Sequence, residues 1–179
     1  MNKIYIPFLK NFFYVSGSVG RYRYKKVIMK MLLDVSETLP KLFEKENADY
    51  APHDLDLIYI DEKDNTKLIE FLKKNKALEF IQIKKDLIML KDKIRNIRID
   101  IFVCKKRHLY TYYLFTLLGK RINIILRKIA MRANLLLNQY GLFDNINNKE
   151  IEVKYDYKNG IIYNMKLLLK KLYSFKERI

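Results

Sequence analysis

The sequence of 179 residues is poor in the residue types that build linkers, repeats and disulfide-linked folds. It has five glycines, three prolines, one cysteine and no tryptophan. The single cysteine, Cys104, excludes an internal disulfide and agrees with a reducing, intracellular compartment. No apolar run reaches the roughly 18–20 residues of a membrane span, so we predict no membrane partner. The scarcity of glycine and proline argues against a linker-rich or repetitive chain.

Charge and hydrophobicity are what the sequence does have. Half of its residues are hydrophobic, which is enough to bury a core, and the formal net charge is +16. Residues 101–143 carry eight basic residues and no acid: Lys105, Lys106, Arg107, Lys120, Arg121, Arg127, Lys128 and Arg132. A one-sided charge of this size predicts a polyanionic partner, either nucleic acid or an anionic membrane surface. The alternative is a proteome in which lysine is simply common.

Hydrophobic periodicity predicts an α+β fold with a mixed sheet. Strand patterns dominate up to about residue 103, and helical patterns follow. We predict Gly17 and Ser18 in a loop and a helical region over 25–46 that Pro40 divides in two. Residues 4–15 and 78–90 are each predicted to form one or two strands, and 54–60 and 97–103 one strand each. The other predicted helices are 64–75, 122–137 and 163–173.

Three aspartates are the candidate catalytic and metal-binding residues. Asp54 and Asp56 are two apart in a predicted strand, so alternation places both carboxylates on one face. Asp100 lies in a second strand, and Arg98, two residues earlier on the same face, can orient its carboxylate. A dense carboxylate set is unfavourable without divalent cations, and hard oxygen ligands suit Mg²⁺, with Mn²⁺ as a substitute. Alone, a D-x-D pair is more often a solvated strand face.

Two segments resemble those of a known family. The segment from Leu137 to Phe143, L-N-Q-Y-G-L-F, resembles the L-N-E/Q-Y-G-L-F segment of the DNA polymerase X family. Upstream, R-I-D at Arg98 to Asp100 is similar to that family's R-[VI]-D strand, and the spacing between the two segments matches without a gap. The resemblance covers about residues 50–179. It looks closest to the compact viral members.

The resemblance implies a fold and a function. It implies a nucleotidyltransferase palm over residues 1–104, with helices on one side of the sheet. A small fingers- or thumb-like subdomain over 105–179 would contact nucleotide and template. It implies no lyase or helix-hairpin-helix domain, because the hairpins of such a domain need closely spaced glycines. The implied function is template-directed, gap-filling DNA synthesis in base excision repair, with two Mg²⁺ ions, deoxynucleoside triphosphates and gapped or nicked duplex DNA.

Residue roles follow from the same resemblance. The register places Asn123 and Arg127 on the family's N-x-x-x-R helix, where Asn reaches the incoming nucleotide and Arg the templating strand. Donors at these positions test base-pair shape in the minor groove without reading sequence. The implied nucleotide-binding residues are Gly17, Ser18, Arg21, Arg23, Phe115, Thr116 and Asn123. The implied DNA-binding residues are Lys120, Arg121, Arg127, Lys128, Arg132 and Tyr140.

The sequence departs from the family pattern at three places. Gly17 lies 37 residues before Asp54, whereas the family's G-S pair lies roughly ten residues before its D-x-D. Either a helical insertion separates them or Gly17-Ser18 is an ordinary turn, and both interpretations stay open. The family's Y-F-T-G-S turn is replaced by F-T-L-L-G from Phe115, which leaves sugar selectivity open. The C-terminal segment from Tyr173 to Arg178 is similar to a closing Y-x-x-P-x-x-R without its proline.

Two other functional classes compete with the polymerase. One is a template-independent terminal transferase, or a transferase acting on RNA or protein with the same metals. The other is a catalytically dead basic module that only binds nucleic acid. Clustered aspartates argue against the second, because carboxylates do not help to bind a polyanion. We expect a monomer inside the cell, in a virion or at a viral replication site. His53 and His108 have no partner with metal-ligand spacing.

Overall fold

The structure, a computed structural model, describes residues 3–48, 52 and 54–176. His53 and Arg178 lie outside these residues, so the expectations attached to them stay as they were. The strands are β1 Lys3–Ile6, β2 Asn11–Ser16, β3 Leu55–Ile60, β4 Leu78–Ile83, β5 Leu87–Asp92, β6 Ile97–Cys104, β7 Leu135–Asn138, β8 Gly141–Asp144 and β9 Lys149–Glu150. The helices are α1 Gly17–Arg23, α2 Lys25–Leu33, α3 Leu39–Glu46, α4 Thr66–Lys73, α5 Leu109–Leu117, α6 Lys120–Arg132 and α7 Ile161–Ser174. Within the described ranges, no helix is both long and apolar enough to span a membrane.

A six-stranded mixed sheet forms the centre of the fold. Its strand order is β1-β2-β3-β6-β5-β4, in which β3 and β6 are parallel and the other neighbours antiparallel. A smaller three-stranded sheet has the order β7-β8-β9. The predicted α+β class and mixed sheet are confirmed. The division of the chain at residue 104 stays a prediction.

Alternation along the strands separates two hydrophobic cores, one on each face of the large sheet. Ile58 and Cys104 face a core that contains buried side chains of α2, α3, α5, α6 and α7. Leu57 and Ile101 point to the other face, where α4 packs in addition. Both faces are therefore covered, as a parallel strand pair in the middle of a sheet requires. The resemblance implied helices on one side only, and α4 on the second face differs from that expectation.

Three boundaries differ from those predicted. The segment from Gly17, predicted as a loop, begins helix α1. The predicted helix over 122–137 ends at Arg132, because Asn134 takes a left-handed conformation with φ of 59° and the chain continues as strand β7. Residues 25–46 form two helices as predicted, but Pro40 lies in the first turn of α3, where its missing N–H costs nothing.

Candidate active site

Strand register brings two of the three candidate aspartates, Asp56 and Asp100, into one row across the sheet, whereas Asp54 lies just before β3. Ser16 at the end of β2 pairs with Asp56 in β3, and Asp56 pairs with Asp100 in β6. Register partners on neighbouring strands point to the same face and lie about 4.8 Å apart. Asp56 and Asp100, which are 44 positions apart in the sequence, are therefore adjacent carboxylates. The sequence placed each residue in a strand, and the pairing of the two strands makes them neighbours.

Gly17 follows Ser16 and lies against Asp56. A Cβ atom on Gly17 would fall 2.1 Å from an Asp56 carboxylate oxygen and 2.6 Å from its Cβ. Gly17 also has a φ of +59°, which L-residues rarely adopt. The backbone of the Gly17-Ser18 pair thus touches the D-x-D strand, although α2 and α3 lie between them in the sequence. This is the arrangement that a helical insertion predicts.

Two other residues adjoin the row. Ser18 is buried, and its Oγ donates a hydrogen bond of 3.4 Å to the backbone carbonyl of Asp54, just before β3. Arg98 Nε donates to Asp100 Oδ1 at 3.0 Å, and the Asp100 side chain is only 18% exposed. The contact predicted between Arg98 and a carboxylate of the set therefore exists.

The electrostatics of the row disfavour ionised Asp56. Burial is the main cause that raises the pKa of Asp56 to about 6, and the charge of Asp100 is the next. The charge of Asp54 adds to the rise, whereas Arg21 and Arg98 oppose it. The ionised form of Asp56 is therefore disfavoured first by burial and then by a neighbouring negative charge, and a bound cation would stabilise that form.

The donor set is suited to Mg²⁺. Asp54, Asp56 and Asp100 supply only hard carboxylate oxygens, which Mg²⁺ prefers, and no softer ligand competes among them. Among the described side chains, no three acidic, histidine or cysteine groups are gathered closely enough to form a complete ligand cluster.

Arg21 connects the row to the end of helix α5. Its Nη1 donates to the backbone carbonyls of Thr116, at 3.1 Å, and Leu117, at 3.4 Å. Its Nε donates to Asn47 Oδ1 at 3.2 Å, directly after α3. Arg21 therefore holds the C-terminus of α5 and the inserted helices beside the acidic row. No pattern in the sequence indicated these contacts.

Replacing Arg21 with alanine is expected to raise the pKa of Asp56 further. Arg21 is the positive charge that most opposes the rise, so its removal leaves the carboxyl group less stabilised as an anion. A ¹³C NMR titration of the aspartate carboxyl carbons measures this directly. Arg23→Ala is the matched control on the same helix and should leave the titration unchanged. An unchanged titration in Arg21→Ala would contradict the expectation.

The Phe115-Thr116 pair also reaches the row. Thr116 Oγ1 is hydrogen-bonded to Ser16 Oγ and donates to the carbonyl of Tyr112 at 2.9 Å. Ser16 itself is fully buried and was not among the candidate residues, although it directly precedes Gly17 in an alternating strand. The Phe-Thr segment that the resemblance assigned to the nucleotide thus lies beside the candidate catalytic strands.

Asn123 and Arg127 both contact the chain near Phe115. Asn123 is 6% exposed, and its Nδ2 donates to the carbonyls of Gly119, at 2.8 Å, and Phe115, at 3.1 Å. The Arg127 guanidinium lies 4.3 Å from the centroid of the Phe115 ring, a cation–π contact. Asn123 is therefore not a solvated helix residue. Its role towards a nucleotide stays a prediction.

Helix α6 presents a basic surface. Lys120, Arg121, Arg127, Lys128 and Arg132 are all exposed along it. The buried side of the same helix, from Ile122 to Ala130, packs into the core. The five charges therefore lie on one solvent-facing side, which can follow a phosphate backbone. Arg23 is likewise exposed, at the end of α1.

The L-N-Q-Y-G-L-F segment forms the hairpin between β7 and β8. Asn138 Oδ1 accepts the backbone N–H of Tyr140 at 2.8 Å, and Thr111 Oγ1 in α5 donates to the carbonyl of Gln139. Tyr140 is 42% exposed, and its hydroxyl is hydrogen-bonded to Asp86 Oδ2 at 3.4 Å. The segment therefore anchors the small sheet to α5.

The comparisons with known proteins agree with this geometry at the level of the fold. No family model and no curated protein matches the sequence. The structure is similar to the crystal structure of polymerase beta from Leishmania infantum, in a ternary P/T complex, with a TM-score of 0.53 over 76% of this chain. The chain has a polymerase beta fold. The sequences are 20% identical, and the chain spans 50% of that polymerase, so the likeness concerns the shared fold alone.

Proposed function

We propose that the protein is a DNA polymerase of the X type that fills short gaps by nucleotidyl transfer. The observation that carries the proposal is the row Ser16–Asp56–Asp100 on a polymerase beta fold. A raised pKa at Asp56 beside a second carboxylate is typical of functional sites. A protein that only binds a polyanion gains nothing from such a cluster.

In this proposal the residues have separate roles. Asp54, Asp56 and Asp100 would hold Mg²⁺ ions, whose charge would favour ionisation of the attacking hydroxyl and departure of pyrophosphate. The primer 3′-hydroxyl attacks the α-phosphorus of a deoxynucleoside triphosphate. The new P–O bond forms as the bond to pyrophosphate breaks. Asp100 helps to activate the hydroxyl.

The remaining candidate residues bind substrate. Gly17, Ser18, Arg21 and Arg23 belong to α1, whose first residue lies against Asp56, and we assign them to the triphosphate. Phe115, Thr116 and Asn123 are assigned to the sugar and base. Arg21 has a double role in this scheme, because the same side chain also holds the end of α5. Lys120, Arg121, Arg127, Lys128, Arg132 and Tyr140 suit the DNA backbone and minor groove.

A template-independent terminal transferase is the second candidate. The observation that favours it is the Asn123 amide, which donates to two backbone carbonyls and is buried. The Asn123 amide could contact the minor groove of a nascent base pair only after its hydrogen bonds to these two carbonyls break. A transferase without a template does not need that contact. Fold, aspartates and metals are the same for both candidates.

Primer extension on a gapped duplex tests the proposal. With Mg²⁺ and four deoxynucleotides, the protein is expected to extend a labelled primer along the template and stop at the end of the gap. The Asp54→Ala/Asp56→Ala protein is expected to bind the duplex but not to extend the primer. Addition that ignores the template would favour the terminal transferase. Tight binding without any addition would contradict an enzymatic function.

A further inference from the structure

A cavity lined by aromatic and basic residues lies at the end of helix α5 that is farther from the row formed by Ser16, Asp56 and Asp100. The last turn of α5 contacts the row through Thr116, and its first turn, at Leu109 and Tyr110, borders a cavity of about 240 Å³. Ile60 in β3 also borders this cavity, four residues beyond Asp56, which is about 13 Å along the strand. The cavity is therefore separate from the candidate active site.

Tyrosine rings form the walls of the cavity. Tyr14, Tyr110 and Tyr157 line it, and the ring centroids of Tyr110 and Tyr157 are 5.6 Å apart. Tyr110 is 2% exposed and fixed in the core, whereas Tyr157 is 42% exposed. The cavity thus has a rigid aromatic floor and one accessible aromatic ring, an arrangement on which a planar base can stack.

Positive charge surrounds the same cavity. Lys3 and Lys106 border it, and none of the described residues that line it is Asp or Glu. The Lys106 ammonium lies 4.8 Å from the Tyr157 ring centroid, and the Lys3 ammonium lies 4.5 Å from that of Phe12. Two carboxylates are near: Glu62 accepts the backbone N–H of Lys106 at 2.8 Å, and Asp156, which precedes Tyr157, acts on Tyr110 through its charge. Lys105 and Arg107, which are exposed beside Lys106, keep the local charge positive.

We propose that this cavity binds one nucleotide of a single-stranded nucleic acid. The base stacks on Tyr157 and Tyr14, and the flanking phosphates contact Lys3 and Lys106. The combination fits this ligand better than a neutral or acidic one, because aromatic stacking binds bases of any sequence while ammonium groups bind the backbone. The site requires neither the aspartates nor Mg²⁺.

The test compares two triple variants of the full chain by fluorescence anisotropy with a labelled oligothymidylate, in EDTA. Lys3→Ala/Lys106→Ala/Tyr157→Leu is expected to bind about tenfold more weakly than the wild type, because the stacking of one base and the contacts of two ammonium groups with phosphates are lost together. The matched control is Lys73→Ala/Lys170→Ala/Tyr163→Leu. It removes the same charges and an equally exposed tyrosine, since Tyr157 and Tyr163 are both 42% exposed. All six positions lie on the surface or at its edge, and equal melting temperatures will show that both variants fold.

Localisation gives a second readout. Photocrosslinking with a 4-thiothymidine oligomer, followed by mass spectrometry, is expected to label the peptide containing Tyr157 in the wild type. The proposal would be overturned if both triple variants lost affinity equally, or if the variant with Tyr157→Leu lost none. The same comparison is made with a ribo-oligomer. If the first triple variant loses affinity for both oligomers, the cavity binds single strands in general, and if it loses affinity for DNA alone, the cavity binds DNA. Failure of gap filling leaves these results unaffected, since neither assay needs the aspartates.

Discussion

Replacing Asp56 with asparagine is expected to stabilise the metal-free protein at pH 7 and to abolish primer extension. The folded state raises the pKa of Asp56 from 3.8 to about 6, so the ionised carboxyl group destabilises the fold above that pH. At about 1.4 kcal/mol per pKa unit, removing the charge should stabilise the protein by about 2–3 kcal/mol. Thermal unfolding in EDTA measures the effect. Mg²⁺ should raise the melting temperature of the wild type but not that of the variant.

The pH dependence gives this prediction its sign. Because the folded pKa of Asp56 is the higher one, its favourable contribution is complete below pH 3.8 and is lost as the pH rises through about 6. The gain from Asp56→Asn should therefore vanish near pH 4. Asp92→Asn is the control with the opposite sign. Arg95 lowers the pKa of Asp92, so its contribution is lost as the pH falls, and its replacement should destabilise the protein at pH 7. A destabilised Asp56→Asn protein at pH 7 would contradict the argument.

Replacing Gly17 with alanine is expected to destabilise the protein by about 3–5 kcal/mol and to eliminate activity. Two effects add. The positive φ strains any L-residue, and the new Cβ would overlap the Asp56 side chain and force it out of the row. Thermal or urea unfolding measures the stability, and primer extension below the melting temperature measures the activity.

Gly160→Ala separates the two effects. Gly160 has a φ of +81°, but a Cβ there would meet nothing within 4 Å. Only the backbone strain remains, so the cost should be about 1–3 kcal/mol, because a φ of 81° with a ψ of −178° is a conformation that is nearly restricted to glycine. If the two variants lose equal stability, the contact between Gly17 and Asp56 is not what makes glycine necessary at position 17.

Part of the candidate site could be predicted because it depends on local geometry. Alternation in a strand decides which side chains share a face, so Asp100 and Arg98 could be placed together from their spacing of two. The order of strands in the sheet is not local. The Gly17-Ser18 pair resembles the family's G-S pair, but its contact with Asp56 depends on the pairing of β2 with β3 across two inserted helices, which no local pattern indicates.

Helix ends were predicted less well for a related reason. The apolar pattern after Ile122 continues through Leu137, and it fits both a helix and a buried strand over its last residues. The left-handed conformation at Asn134 and the pairing of β7 with β8 decide in favour of the strand. The pairing partner, not the propensity of Leu135 to Leu137, determines this boundary.

By itself, the sequence determined the α+β class, the strands that carry Asp56 and Asp100, and a charge that favours polyanions. The strands and the fold class follow from the spacing of apolar residues along the chain, and the charge follows from composition. Neither requires knowledge of contacts between distant residues. Only the tertiary structure decided that Ser16, Asp56 and Asp100 form one row, that Arg21 holds the end of α5, and that Tyr157 and Lys106 share a cavity. Each of these contacts joins residues far apart in the chain, and their proximity results from strand order and helix packing.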